Sequence, residues 1–228
     1  MGFKLSSLGD LTLLDTEDFD DNIELGRYET VTVSRTFNKG WGTVVLPFDV
    51  DAATVQAKFG EGTKLYTLSD FNATTGDIQF SPVYNGKIAA GTPYLINIPE
   101  AIDNGITFEN VTVVADVNDK VLDNGAEFHG NYDAGMSMVD LFGITPEGKI
   151  AKGVGSSTMK AYRAYMVLPG NVDPNNARLV IFDETTGISR VLNDVESENT
   201  NIYNLNGQRV NKSAKGILLI NGKKVMIK

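Results

Sequence analysis

Between residues 30 and 37 the chain alternates, with Val31, Val33 and Phe37 on one side of an extended backbone and Thr30, Thr32, Ser34 and Thr36 on the other. A two-residue period of β-branched side chains marks a half-buried strand. No other feature constrains the fold as much, because the same rhythm returns along the chain, cut by glycine and asparagine. Asn38-Lys-Gly40 reads as a turn, and residues 41–48 (WGTVVLPF) read as the partner strand, ended near Pro47. Further strands are predicted over 64–68, 77–84, 93–98, 111–115, 161–168, 178–182 and 188–192, with turn signals at Thr75-Gly76, Asn85-Gly86 and Asn104-Gly105. One helix is predicted after Asp51, which can cap it. Val55 and Phe59 lie one turn apart, and Gly60 can stop it. Residues 131–159 are Gly-rich and weakly patterned, either a long loop or a set of edge strands.

Many short strands without alternating helices predict an all-β fold: an antiparallel β-sandwich or sandwich-like barrel, with at most one or two short helices. A chain of 228 residues can bury a core without disulfide or metal staples. The organisation read from composition is an acidic lead-in at 1–29, a main β domain at 30–193, a polar linker at 194–200 and a C-terminal β tail at 201–228. In the tail, Asn-Gly pairs at 206–207 and 221–222 sit between apolar runs, the strongest short-range hairpin signal. A lone hairpin is marginal in water, so the tail must pack on the main domain, pair with other tail strands, or remain mobile.

The net charge of −9 makes nucleic acid and anionic membranes poor partners. The absence of cysteine removes thiol nucleophiles, thiolate metal sites and disulfides together. A single histidine, His129, rules out a multi-imidazole zinc site within one chain. A Ser–His–Asp hydrolase would have to use His129, but the G-x-S-x-G elbow is absent, and a turn or packed surface position is the expectation for it. Gly153-Val-Gly155 does not match the spacing of a phosphate loop, because Thr158 stands where a third glycine belongs. With 29 acidic residues, glycosidase-like carboxylate pairs arise by chance. Oxygen ligands for calcium cluster at Asp15, Glu17, Asp18, Asp20 and Asp21, and again at Asp116, Asn118, Asp119 and Asp123, but the D-x-[DN]-x-[DN]-G loop is not met and solvated acidic loops are the expectation. Among aromatics able to stack on sugars, Trp41 is expected in the core, Tyr132 is expected to be the most exposed, and Tyr162 and Tyr165 must face opposite sides of a strand. No catalytic residue, metal site or cofactor is assigned.

Two stretches carry a resemblance. Ser34-Arg-Thr-Phe37, Trp41-Gly-Thr-Val-Val-Leu-Pro-Phe48, Phe59-Gly-Glu-Gly-Thr63, Ala90-Gly-Thr-Pro-Tyr-Leu-Ile96, Ala161-Tyr-Arg-Ala-Tyr165 and Glu184-Thr-Thr-Gly-Ile188 follow in that order. Together they resemble an uncharacterised module recurrent near the C-terminus of large secreted or surface proteins of Bacteroides and Prevotella, beside leucine-rich-repeat, adhesin-like or glycan-processing regions. The tail, with Ile202-Tyr-Asn-Leu-Asn-Gly-Gln-Arg-Val210, Gly216 and Lys224-Val-Met-Ile-Lys228, resembles the end of a type IX secretion sorting domain. That resemblance marks Gly207, Gly216, Lys224 and Lys228 as sorting-signal-like. The tail is shorter than a whole sorting domain, so it is either a minimal variant or one that no longer directs export.

The resemblances imply an extracellular or outer-surface address, and the N-terminus has no apolar run long enough for a signal peptide, so the native start is expected upstream. The expected function is that of a non-catalytic structural or interaction module whose partner is an unidentified extracellular protein or glycan, with the tail engaging secretion machinery. The alternative is a carbohydrate-binding module, and a hydrolase ranks third.

Overall fold

The computed structural model describes residues 7–19, 23–170, 172–183, 188–191, 202–204, 210, 216–220 and 223–227. The fold is mostly β, 45% strand with one short helix, in several mainly antiparallel sheets and a half-barrel. The largest sheet has six strands in the order Ile188–Val191, Arg178–Asp183, Asp77–Pro82, Lys64–Asn72, Tyr94–Ile98, Gly40–Val44. Its pairings are antiparallel except one: Arg178–Asp183 runs parallel to Asp77–Pro82. There Arg178 Nε donates to Asp77 Oδ1 at 2.7 Å, an ion pair that pins the register between segments 101 residues apart. A five-stranded antiparallel sheet follows the order Lys120–Val121, Glu127–Asn131, Arg163–Val167, Phe142–Ile144, Ile150–Lys152. A three-stranded sheet joins Asp10–Leu14, Thr30–Ser34 and Ile106–Glu109.

Two cores result, one on each face of the six-stranded sheet. In the strand Tyr94–Ile98, side chains alternate: Tyr94, Ile96 and Ile98 enter one core and Leu95 enters the other. The first core lies against the three-stranded sheet (Leu13, Val31, Val33, Phe108) and the helix (Val55, Phe59). The second lies between the six-stranded and five-stranded sheets, where Phe80 meets Phe128 edge-to-face at 5.3 Å. The helix spans Ala52–Phe59 as predicted: Asp51 caps it by accepting from the Thr54 N–H at 3.0 Å, and Gly60 ends it with φ +101.

Three expectations are corrected. The strand at 30–34 does not form a hairpin with the strand beginning at 40: Thr30–Ser34 pairs with Asp10–Leu14 in parallel and with Ile106–Glu109, whereas Gly40–Val44 pairs with Tyr94–Ile98. The acidic lead-in supplies a core strand, with Leu13 fully buried, because Leu11 and Leu13 sit in an alternation that the surrounding carboxylates obscure. The strand expected over 111–115 shrinks to Thr112–Val113, paired only with Gly26–Arg27. Residues 131–159 contain the short strands Met136–Ser137, Phe142–Ile144, Ile150–Lys152 and Thr158–Met159.

Of the tail, Ile202–Asn204, Gly216–Ile220 and Lys223–Ile227 form their own antiparallel three-stranded sheet. It sits beside the large sheet's last strand, Ile188–Val191, against Lys223–Ile227. The expected linker at 194–200 lies outside the described residues.

Candidate functional site

The edge strand Gly40–Val44 crosses the strand Arg163–Val167 of the five-stranded sheet, and one side chain joins them. Thr43 Oγ1 accepts from the Ala164 N–H at 2.8 Å and donates to the Ala164 carbonyl at 3.0 Å, imitating a strand partner. Just before this point Tyr162 has φ +60, a region that a bulky L-residue rarely adopts. Three backbone and side-chain bonds hold it there. Its N–H donates to the Asn131 carbonyl at 2.7 Å, and its carbonyl accepts from Val45 N–H at 3.5 Å and from the Arg35 guanidinium.

Arg35 is 8% exposed and has no carboxylate partner. It donates to the carbonyls of Tyr162 and Thr43, lies 4.1 Å above the Phe37 ring, and keeps Nε buried with no hydrogen-bond partner. Burial, and then the like charge of Arg163, disfavour its charged form, while Asp15 partly offsets them. Asp15 is already committed: its carboxylate accepts from Arg163 at 2.9 Å and from Lys160 at 3.2 Å. Burial raises the Asp15 pKa, but the hydrogen bonds and charges of Arg163 and Lys160 outweigh it and hold the carboxyl below its ordinary value. Two motifs far apart in the chain, Ser34-Arg-Thr-Phe37 and Ala161-Tyr-Arg-Ala-Tyr165, therefore meet at one seam. A cavity of about 170 Å³ opens there, lined by Arg35, Phe37, Trp41, Gly42, Gly143 and Arg163 among others. Trp41 is half-buried rather than deep in the core, packed on Tyr66 at 5.4 Å. Patterning alone does not single out Arg35, since its carbonyl partner lies 127 residues away.

His129 lies on the strand Glu127–Asn131, not in a turn. Its ring is packed, as expected, stacked on Tyr165 at 5.1 Å. Both ring nitrogens are engaged: Nδ1 with Asp119 Oδ2 at 2.7 Å and Nε2 with Glu127 Oε2 at 2.5 Å. Asp119 Oδ1 also accepts from the Gly130 N–H at 3.0 Å. Glu127 carries no motif, and alternation is its only sequence signal: in a strand, residues 127 and 129 share a face. A groove of about 400 Å³ runs alongside, lined by Phe19, Leu25, Val117, Tyr132, Asp133 and Tyr165 among others.

Tyr132, expected to be exposed, is 7% exposed instead. It packs on Phe19 and Tyr162, and burial, then the Tyr162 charge, push its pKa up. Tyr162 is buried and Tyr165 half-buried, and because Tyr162 precedes the strand Arg163–Val167 with φ +60, strand alternation does not set its side. Among the residues whose side chains are described, Tyr84 is the one exposed aromatic, at 63%.

Four of the nine calcium candidates are spent on structure, and Asp20 and Asp21 lie outside the described residues. Asp15 serves the arginine cluster, Asp18 accepts from the Ala134 N–H, Asp119 holds His129, and Asn118 donates to the Ala90 carbonyl. No group of three or more His, Cys, Asp or Glu among the described residues is placed to hold a metal ion. Gly153 is glycine for space, since a Cβ there would lie 2.0 Å from the Met138 carbonyl oxygen. Of the sorting-signal-like residues, Gly216 opens the central tail strand and Lys224 lies in the last, while Gly207 and Lys228 lie outside the described residues. No protein-family model, curated protein or solved structure matches this chain.

Proposed function

We propose that this chain is a non-catalytic interaction module of a secreted or surface-bound bacterial protein, and that residues 201–228 form an export or anchoring element. The observation that carries this reading is the tail's separateness. Its strands form a sheet of their own beside an edge of the large sheet, and Leu218, 3% exposed, belongs to neither of the two cores. An element outside the cores can be handed to a sorting machinery, or removed, without dismantling the domain.

Two features support the non-catalytic part. The lone imidazole has a carboxylate on each nitrogen and no serine among its hydrogen-bond partners, so neither nitrogen is available as a base. The buried charges at the seam bind one another and the backbone. The partner is an extracellular protein in preference to a glycan, because among the residues whose side chains are described a single exposed aromatic, Tyr84, does not make a flat stacking platform. Mass-spectrometric detection of the protein on intact cells, with and without residues 201–228, tests the proposal. Loss of surface signal with retention of the folded domain inside the cell is expected, and an unchanged location after truncation would refute it.

A further inference from the structure

The geometry points to a binding site for a small monocarboxylate in the seam cavity, anchored by the buried Arg35 guanidinium. Charge is the first argument. Arg35 is taken out of water with only two carbonyl oxygens and the Phe37 ring against it, and its Nε has no partner. An unpaired buried charge is strongly unfavourable, and a counter-ion relieves it. The carboxylate near it, Asp15, is taken by Arg163 and Lys160. Because Arg163 and Lys160 share Asp15, Arg35 has no counter-ion of its own. A carboxylate suits its guanidinium fork.

Space is the second, independent argument. Gly42 lies within the strand Gly40–Val44, where glycine weakens a strand without a side chain to pack. Its backbone has no need of glycine, because its φ lies outside the positive range and a Cβ there would meet nothing nearer than Ile96 Cγ2 at 4.0 Å. Gly143, which also lines the cavity, is likewise unforced: its φ lies outside that range, and a Cβ would meet Met138 Cε at 3.7 Å. What the missing side chains leave open is the cavity.

The remaining walls mix apolar side chains, including Trp41, Phe37 and Ile98, with the polar Thr36, Asn38 and Thr43, and suit a compact ligand body that carries both surfaces. The volume of about 170 Å³ falls below the roughly 300–1,000 Å³ of pockets for drug-sized molecules, so the cavity admits a small acid or the acidic end of a larger ligand. Two sources carry that chemistry: a uronic acid of a glycan, or the terminal carboxylate of a polypeptide.

Trp41 is the only tryptophan in the chain and lines the cavity, so its emission reports occupancy. The full chain is titrated, at constant ionic strength, with glucuronate against glucose and with N-acetylalanine against its amide; inorganic phosphate is the further control. A saturable change with glucuronate alone assigns the sugar source, and one with N-acetylalanine alone the polypeptide source. A response to both retains the carboxylate assignment for either. Gly42→Leu should weaken the response at least tenfold while the melting temperature stays near that of the parent. Should that variant not fold, Gly42→Ala should weaken the response by a smaller factor in a folded protein. No saturable change with either acid, an equal response to glucose or the amide, a stronger response to phosphate, or full binding by the filled variant would overturn the assignment. This inference adds a ligand to the module and is independent of its address, so the titration and the surface-detection experiment can each fail alone.

Discussion

Asp15 sits where three cationic side chains converge, and its one carboxylate pairs with two of them directly. Its pKa in the folded chain lies below the ordinary carboxylate value. Its stabilising contribution is therefore complete above the unfolded value of about 4 and is lost as pH falls through the lower, folded value. Asp15→Asn should reduce unfolding free energy by about 2 kcal/mol at pH 7 and by progressively less below pH ~4. Urea denaturation at neutral and acid pH checks this; an equal loss at both would show that charge is not what Asp15 contributes. Residue chemistry of this kind was only partly legible in the sequence. The exclusion of cysteine and multi-histidine sites followed from counting. The partners of Arg35 and His129 did not, because each is assembled across strands that local patterning cannot align. Gly91 shows the same limit: it stands in the Ala90-Gly-Thr-Pro motif because its φ is +71 and a Cβ would lie 2.1 Å from the Asp116 carbonyl oxygen, a neighbour 25 residues along.

Elements fared according to how local their signals are. The helix over Ala52–Phe59 is encoded within ten residues by its cap, its apolar spacing and its stop glycine, and it lies where those signals put it. Period-two alternation identifies a strand but names neither its partner nor its sheet. That is why Thr30–Ser34 and Gly40–Val44, read as a hairpin, belong to different sheets. The contact between the edge strand and the five-stranded sheet depends on the Thr43 hydroxyl. Thr43→Val keeps the volume but leaves the Ala164 N–H and carbonyl without that partner. A loss of about 2–3 kcal/mol is expected in chemical denaturation, with Thr43→Ser close to the parent, since buried groups left unpaired bear the full desolvation penalty. A valine variant as stable as the parent would remove the hydroxyl from the account of how the sheets are joined.

At the scale of the whole molecule, the two cores share a wall. Tyr94–Ile98 contributes to both, so neither can melt without exposing the strand that serves the other. Calorimetry should record one cooperative transition for residues 7–183, and two separated transitions would mean that the shared strand does not couple the cores. The fold class was legible here because it depends on the sum of many strand signals, and single misplacements do not alter the sum.

The parallel pairing of Arg178–Asp183 with Asp77–Pro82 also sets a timetable. As the ribosome delivers the chain, Asp77 emerges 101 residues ahead of the arginine that will neutralise it. Throughout that interval the strand beside Lys64–Asn72 presents a bare row of amide and carbonyl groups to whatever is nearby. The nascent protein is thus adhesive along that edge until Arg178–Asp183 arrives, and a factor that shields the row would act on the growing chain rather than on the finished one.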